Sequence, residues 1–149
     1  IQKYAKKYNV DPYLVLAIIR EESQFDPLYK SSTNSYGLMQ ISSLYARQIA
    51  QGLSIFYTTD DVLFDPEVNI HMGTYYLSQI QKMVKNNYLH YSLTAYNVGL
   101  STLVGWVSDF GTDRFSTFVS KIPYVGLRHY VHKIKDSYLI YKLLYFEDE

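Results

Sequence analysis

The sequence has no cysteine, which excludes a disulfide framework, thiolate zinc sites and cysteine nucleophiles. It has no charge of either sign to spare: 14 Lys+Arg balance 14 Asp+Glu. The field that would gather nucleic acid or anionic lipid is therefore missing, and nucleic acid is not an expected partner. Apolar runs are short, the longest aliphatic one being residues 14–19, far below the ~20 residues that span a bilayer. Breakers are few, with 4 Pro and 7 Gly in 149 residues. What is abundant is tyrosine: Tyr 17, beside Phe 7 and Trp 1, gives many rings with a polar tip and little disordered character. A chain this long can bury a sufficient core as a single domain over 1–149. It opens at Ile1 without a visible signal peptide, so it reads as a fragment of a longer protein.

The spacing of apolar residues predicts a mainly α fold. A first helix is expected over 2–9. Asp11-Pro12 and Asp65-Pro66 each place a capping carboxylate before a proline; they predict helices over 12–23 and 66–85. In the second, Ile70, Gly73, Leu77 and Ile80 share a stripe. Residues 24–34 and 52–64 read as loops, with a short apolar piece over 38–41 leading into a helix over 43–51. Leu89, Leu93 and Tyr96 mark a helix that Gly99 ends. Helices are expected over 102–109 and 113–121, and a last long one begins at Pro123.

Val15, Ile18, Ile19 and Glu22 fall on one narrow face of the 12–23 helix, with Glu21 to its side. A carboxyl on an apolar stripe loses hydration in its charged form, so its pKa rises toward the range of a general acid. Geometry alone also allows a helix-end glutamate whose head reaches water.

The runs Ile19-Arg20-Glu21-Glu22-Ser23-Gln24-Phe25-Asp26-Pro27, Lys30-Ser31 and Gly37-Leu38-Met39-Gln40-Ile41 resemble the signature of the soluble lytic transglycosylases of bacterial cell walls. Phe64-Asp65-Pro66-Glu67-Val68-Asn69-Ile70 with Gly73-Thr74-Tyr75-Tyr76-Leu77, then Ala95-Tyr96-Asn97-Val98-Gly99, follow in the family's order. Ile122-Pro123 and Arg128-His129-Tyr130-Val131 are similar to its closing block.

The resemblance implies a goose-lysozyme-like helical domain with a groove for a glycan strand. It implies that Glu22 is catalytic, the residue chosen independently by the helical face, whereas Glu21 is left a surface or groove-rim role. One carboxyl suffices for such an enzyme. It protonates the oxygen between N-acetylmuramic acid and N-acetylglucosamine, then takes the proton of the muramic C6 hydroxyl as that oxygen closes a 1,6-anhydro ring. The resemblance further assigns Tyr96 a hydroxyl bond to the catalytic carboxyl, Asn97 a sugar contact, Met39 and Gln40 places beside N-acetyl-sugar sites, and Ser31 a place near the peptidyl-sugar end. No cofactor or metal is implied, the partner is peptidoglycan, and the expected location is the cell envelope, periplasm or exterior.

The chain departs from the family pattern at Asn34-Ser35, where Gly-Ala is common, near Ser43, where a Pro is usual, and at Gly126-Leu127, where a Glu-Thr pair stands. The last removes a carboxylate from the groove wall. His129 and His132, three apart, lack a third ligand at recognisable spacing and read as surface residues beside Arg128 and Lys133. Tyr36, Tyr91 and Tyr124 read as core and rim rings that also offer sugar-stacking faces. The competing readings are a muramidase on the same fold, needing a second carboxylate such as Asp60, Asp61 or Asp109; a silent glycan-binding domain; and a helical interaction module, which leaves the ordered blocks unexplained.

Overall fold

A computed structural model describes residues 1–145. Among them the chain forms eight α-helices and one minimal hairpin: α1 Gln2–Tyr8, α2 Pro12–Ser23, β1 Ser35–Tyr36, β2 Ile41–Ser42, α3 Ser43–Gly52, α4 Pro66–Met83, α5 Leu89–Val98, α6 Leu100–Phe110, α7 Phe115–Lys121 and α8 Val125–Tyr145. Short 3-10 turns over Asp60–Phe64 and Lys85–Asn87 precede α4 and α5.

The Asp-Pro pairs that open α2 and α4 act as expected. The carboxylates of Asp11 and Asp65 accept from the backbone N–H of Tyr13 and Val68, each at 2.9 Å, satisfying donors that a helix start leaves open. Gly99, at φ 89°, closes α5 and lets α6 begin at once, two residues earlier than the sequence pattern suggests. The last long helix starts at Val125 rather than at Pro123.

Helix α5 is the axis of the molecule. Every side chain from His90 to Tyr96 is buried, and α4, α6, α7 and α8 all pack on it. Helix α2 lies along α8, with Tyr13 donating to the Tyr145 carbonyl and Tyr138 to Asp11. Helix α1 packs on α4.

The hairpin is the element the sequence did not announce. Ser35 pairs with Ser42 and Tyr36 with Ile41, antiparallel, and Lys30 bridges to Tyr36. Two-residue strands are too short to show alternation. A side chain from α4 holds them instead: buried Asn69 accepts from the Met39 N–H at 2.7 Å and donates to the carbonyls of Tyr36 and Leu63 at 2.8 Å each. Gly37, at φ 74°, sits against Asn69 so closely that a β-carbon would overlap it. At Gly73 the missing side chain makes room for Met39, which explains the glycine on the stripe of α4.

Candidate active site

Glu22 occupies the last turn of α2, beyond the fully buried Val15 and Ile18, and lies partly buried. The Tyr130 hydroxyl, from α8, donates to its Oε1 at 2.6 Å. Burial penalises the charged carboxylate and pushes Glu22 up to about 7, while the Tyr130 bond acts in the opposite direction. The next residue anchors the turn. Ser23 Oγ donates to the Ile19 carbonyl at 3.0 Å and to Leu38 at 2.8 Å, tying the end of α2 to the hairpin segment.

Glu22 opens into a cavity of about 440 Å³ walled by the 31–35 loop, the hairpin, α3, α4 and the end of α5. Among the described residues lining it, Glu22 is the one carboxylate. Gln40 lines it with φ 51°, its Nε2 donating to the carbonyls of Gly37 at 2.9 Å and Tyr29 at 3.1 Å. That leaves the amide oxygen without either of these bonds. Ser31 lines the same cavity, its hydroxyl sharing a bond with Thr33 at 3.1 Å and accepting from the Ser35 N–H. Asn97 lines it too and is exposed. A second, more apolar cavity of about 680 Å³ shares the stacked rings of Tyr45 and Tyr76 with the first and prolongs the groove.

Two assignments are corrected by the geometry. Tyr96 reaches the cavity, but its hydroxyl donates to the Met39 carbonyl at 2.7 Å and not to Glu22; the hydroxyl on the carboxyl is that of Tyr130. Tyr96 stands at the end of α5, where its ring is drawn toward the hairpin, whereas α8 runs beside the last turn of α2. Met39 is not on the groove wall at all. Its side chain is fully buried against Gly73, with Thr74 Oγ1 3.9 Å from its sulfur, so it joins the hairpin to α4. The apolar piece over 38–41 turns Met39 inward, where its close fit against a glycine leaves no place on the wall.

Glu21 turns away from the cavity, accepting from Ser137 Oγ at 2.9 Å and lying 3.8 Å from Arg20 Nε. Asp60 is bonded to the Tyr57 hydroxyl, and neither it nor Asp61 nor Asp109 lines the cavity. His129 is exposed, and the exposed His132 has its ring 5.3 Å from that of Phe115. Tyr130 and the Tyr45–Tyr76 pair are the site residues to which sequence reasoning gave no role. Tyr130 stands 108 residues from Glu22, and only the packing of α2 on α8 joins them.

A partly buried carboxyl near neutrality, held by a neutral hydroxyl and facing a polar groove, can give a proton to a bridging oxygen and take one back. The family model described as the transglycosylase SLT domain matches residues 1–119. The soluble lytic murein transglycosylase of Escherichia coli K12 is 33% identical over 144 residues, 94% of this chain and 22% of that protein. The membrane-bound lytic murein transglycosylase C of Serratia proteamaculans is 30% identical over 171 residues, covering 95% of this chain and 45% of that protein. The chain thus spans less than half the length of these relatives. Among solved structures, an inactive mutant of the lytic transglycosylase Slt from Pseudomonas aeruginosa superposes with TM-score 0.89 at 26% identity, over 99% of this chain and 24% of that one. A 70-kDa soluble lytic transglycosylase in complex with bulgecin A gives TM-score 0.90 at 30% identity, over 99% and 24%.

Proposed function

Because the chain belongs to the transglycosylase SLT domain family, we propose that it cleaves the β-1,4 bond between N-acetylmuramic acid and N-acetylglucosamine in peptidoglycan and leaves 1,6-anhydromuramic ends. The observation that carries this reading is Glu22, a carboxyl raised to about 7 in a groove whose described lining holds no second one. Hydrolytic glycosidases ordinarily need a second carboxylate, as nucleophile or to activate water. An enzyme that recruits a hydroxyl of the substrate does not.

In the first step neutral Glu22 gives its proton to the bridging oxygen, the bond from that oxygen to muramic C1 breaks, and N-acetylglucosamine leaves with a free hydroxyl. Glu22, now a carboxylate stabilised by Tyr130, then accepts the proton of the muramic C6 hydroxyl as O6 bonds to C1. The carboxyl ends protonated, ready for another turn, and no water is consumed. The nucleophile is already tethered to the electrophile, which substitutes proximity for a positioned water. Tyr130 is a positioning residue: it fixes Oε1 and supports the charged form between the two steps. The exposed Asn97 and the free oxygen of Gln40 offer polar contacts to N-acetyl groups, and Ser31 offers one from the 31–35 loop. The substrate places the reaction in the cell envelope, consistent with relatives named as soluble and membrane-bound murein transglycosylases. Among the described residues no helix is long and apolar enough to cross a membrane.

The test is to digest purified peptidoglycan and weigh the soluble products. Anhydro ends, each lighter by one water than a hydrolytic product, are expected; mainly reducible muramic ends would reassign the chain as a muramidase. Glu22→Gln should abolish turnover with the fold retained, and Glu21→Gln should cost far less, because its carboxyl faces Ser137.

A further inference from the structure

The hairpin carries two hydroxyl groups that the fold does not use up. Ser35 and Ser42 are direct cross-strand partners, and both line the cavity into which Glu22 opens. Just outside them the Ser43 N–H donates to the Asn34 carbonyl at 3.0 Å. A bond in that place makes Ser35 and Ser42 the close, non-hydrogen-bonded kind of pair, with α-carbons about 4.5 Å apart and both side chains on one face. The bond depends on positions where the chain leaves the family pattern. A proline at 43 would have no N–H to donate, and Asn34 adopts φ 58°, a left-handed conformation that asparagine tolerates. The neighbouring loop hydroxyls of Ser31 and Thr33 share a bond at 3.1 Å. Ser35 engages its N–H, with Ser31 Oγ at 3.1 Å, and among the described residues its hydroxyl has no partner. The Ser42 hydroxyl only accepts, from the Leu44 N–H at 3.3 Å. Both hydroxyl protons are therefore available to the cavity. Gln40, two residues before Ser42, supplies the opposite function: its Nε2 is engaged by the Gly37 and Tyr29 carbonyls, and its oxygen is left to accept an N–H.

Resting on the proposed function above, we propose that Ser35 and Ser42 are specificity-determining residues which, with Gln40, clip the acetamido group of the sugar lying against the hairpin and select N-acetylated over N-deacetylated strands. An acetamido group presents a carbonyl oxygen with two lone pairs and a single N–H. The clip presents two O–H donors facing each other and one acceptor. A deacetylated sugar offers an amine instead, with no carbonyl to take the two hydroxyl protons. In its charged form that amine needs an anionic partner once it leaves water. Glu22, the one carboxylate among the described lining residues, is neutral when the first step begins, so the cavity gives an ammonium no counter-charge.

The experiment measures binding in the Glu22→Gln background, which separates it from turnover. Glycan strands freed of peptide by an amidase are compared with the same strands after deacetylases have removed their N-acetyl groups. Ser35→Ala should lower the ratio of acetylated to deacetylated affinity about fivefold. Ser42→Gly should do the same, since glycine keeps most of the α3 cap that alanine would lose. Ser35→Thr retains the hydroxyl and should hold the ratio. A ratio left unchanged by both deletions, equal losses for both strands, or a threonine variant that behaves as alanine does, overturns the clip while the proposed function stands. Binding of neither strand by the Glu22→Gln protein overturns both. Ser35→Ala removes no side-chain bond within the described residues, so its melting temperature should match that of its parent, and it decides alone should the glycine variant not fold.

Discussion

At the scale of single residues the decisive contrast is between two tyrosines. Tyr130 donates to Glu22, and Tyr96 donates to the Met39 carbonyl. Catalysis begins with protonated Glu22, so the rate should fall as pH rises through about 7. Tyr130→Phe removes a bond that favours the charged carboxylate, which raises the Glu22 pKa and moves that limb to higher pH. The plateau should drop about ten- to a hundredfold if a bond worth ~1.5–3 kcal/mol is lost. Tyr96→Phe should leave the limb in place and instead lower stability by ~1–3 kcal/mol, since it leaves a buried carbonyl unpaired. A pH–rate profile and a melting curve of each variant separate the two roles; a limb moved by Tyr96→Phe and not by Tyr130→Phe would reverse them. Glu22 was legible because a carboxyl on an apolar helical face is a local pattern. Its hydroxyl partner was not, because no local pattern says which of many tyrosines an approaching helix will present.

Elements were legible where chemistry marks their ends. Asp11-Pro12 and Asp65-Pro66 announce α2 and α4, and Gly99 announces the end of α5. The hairpin was not, since its order comes from Asn69, a polar residue inside a helical apolar pattern. Asn69→Leu would strand one N–H and two carbonyls in the interior, with an expected loss on the order of 3 kcal/mol. Amide exchange at Met39 should speed up by more than the global loss of stability accounts for, and substrate affinity should fall with it because Gln40 is carried on the same segment. Denaturant unfolding with residue-resolved hydrogen exchange tests this; uniform exchange would show that the hairpin holds itself.

For the whole molecule, two kinds of buried group oppose each other as pH changes. Glu22, raised from 4.5 to about 7, keeps a proton that the unfolded chain has already lost, so its contribution to stability falls as pH rises across that window. His90, bonded to the Thr112 carbonyl among Tyr88, Tyr91, Phe115 and Phe118, and His71, stacked on Tyr4, are lowered from 6.5 mainly by burial. Near His71, Lys7 and Lys3 add to the lowering and Glu67 opposes it; near His90, the Thr112 carbonyl bond and then Asp113 oppose it. The unfolded chain binds those protons first on acidification, so their contribution falls as pH drops below 6.5. Wild-type melting temperature should therefore vary little between about pH 5 and 6.5. Glu22→Gln removes one of the two slopes: it should stabilise the protein by ~1–3 kcal/mol at about pH 8 and expose a decline on acidification, both visible by calorimetry. A wild type that already declines steeply toward pH 5 would contradict the balance. The seat of Met39 has a last consequence, for oxidative chemistry. Of the 3 methionines, Met39 and Met72 are fully enclosed while Met83 is 66% exposed. A sulfoxide oxygen cannot enter the space between the Met39 sulfur and Gly73, so dilute peroxide should add one oxygen atom to the native protein, at Met83, with turnover retained. Further oxygen at Met39 would appear only as fast as the hairpin leaves α4, which makes a thioether the clock of that opening.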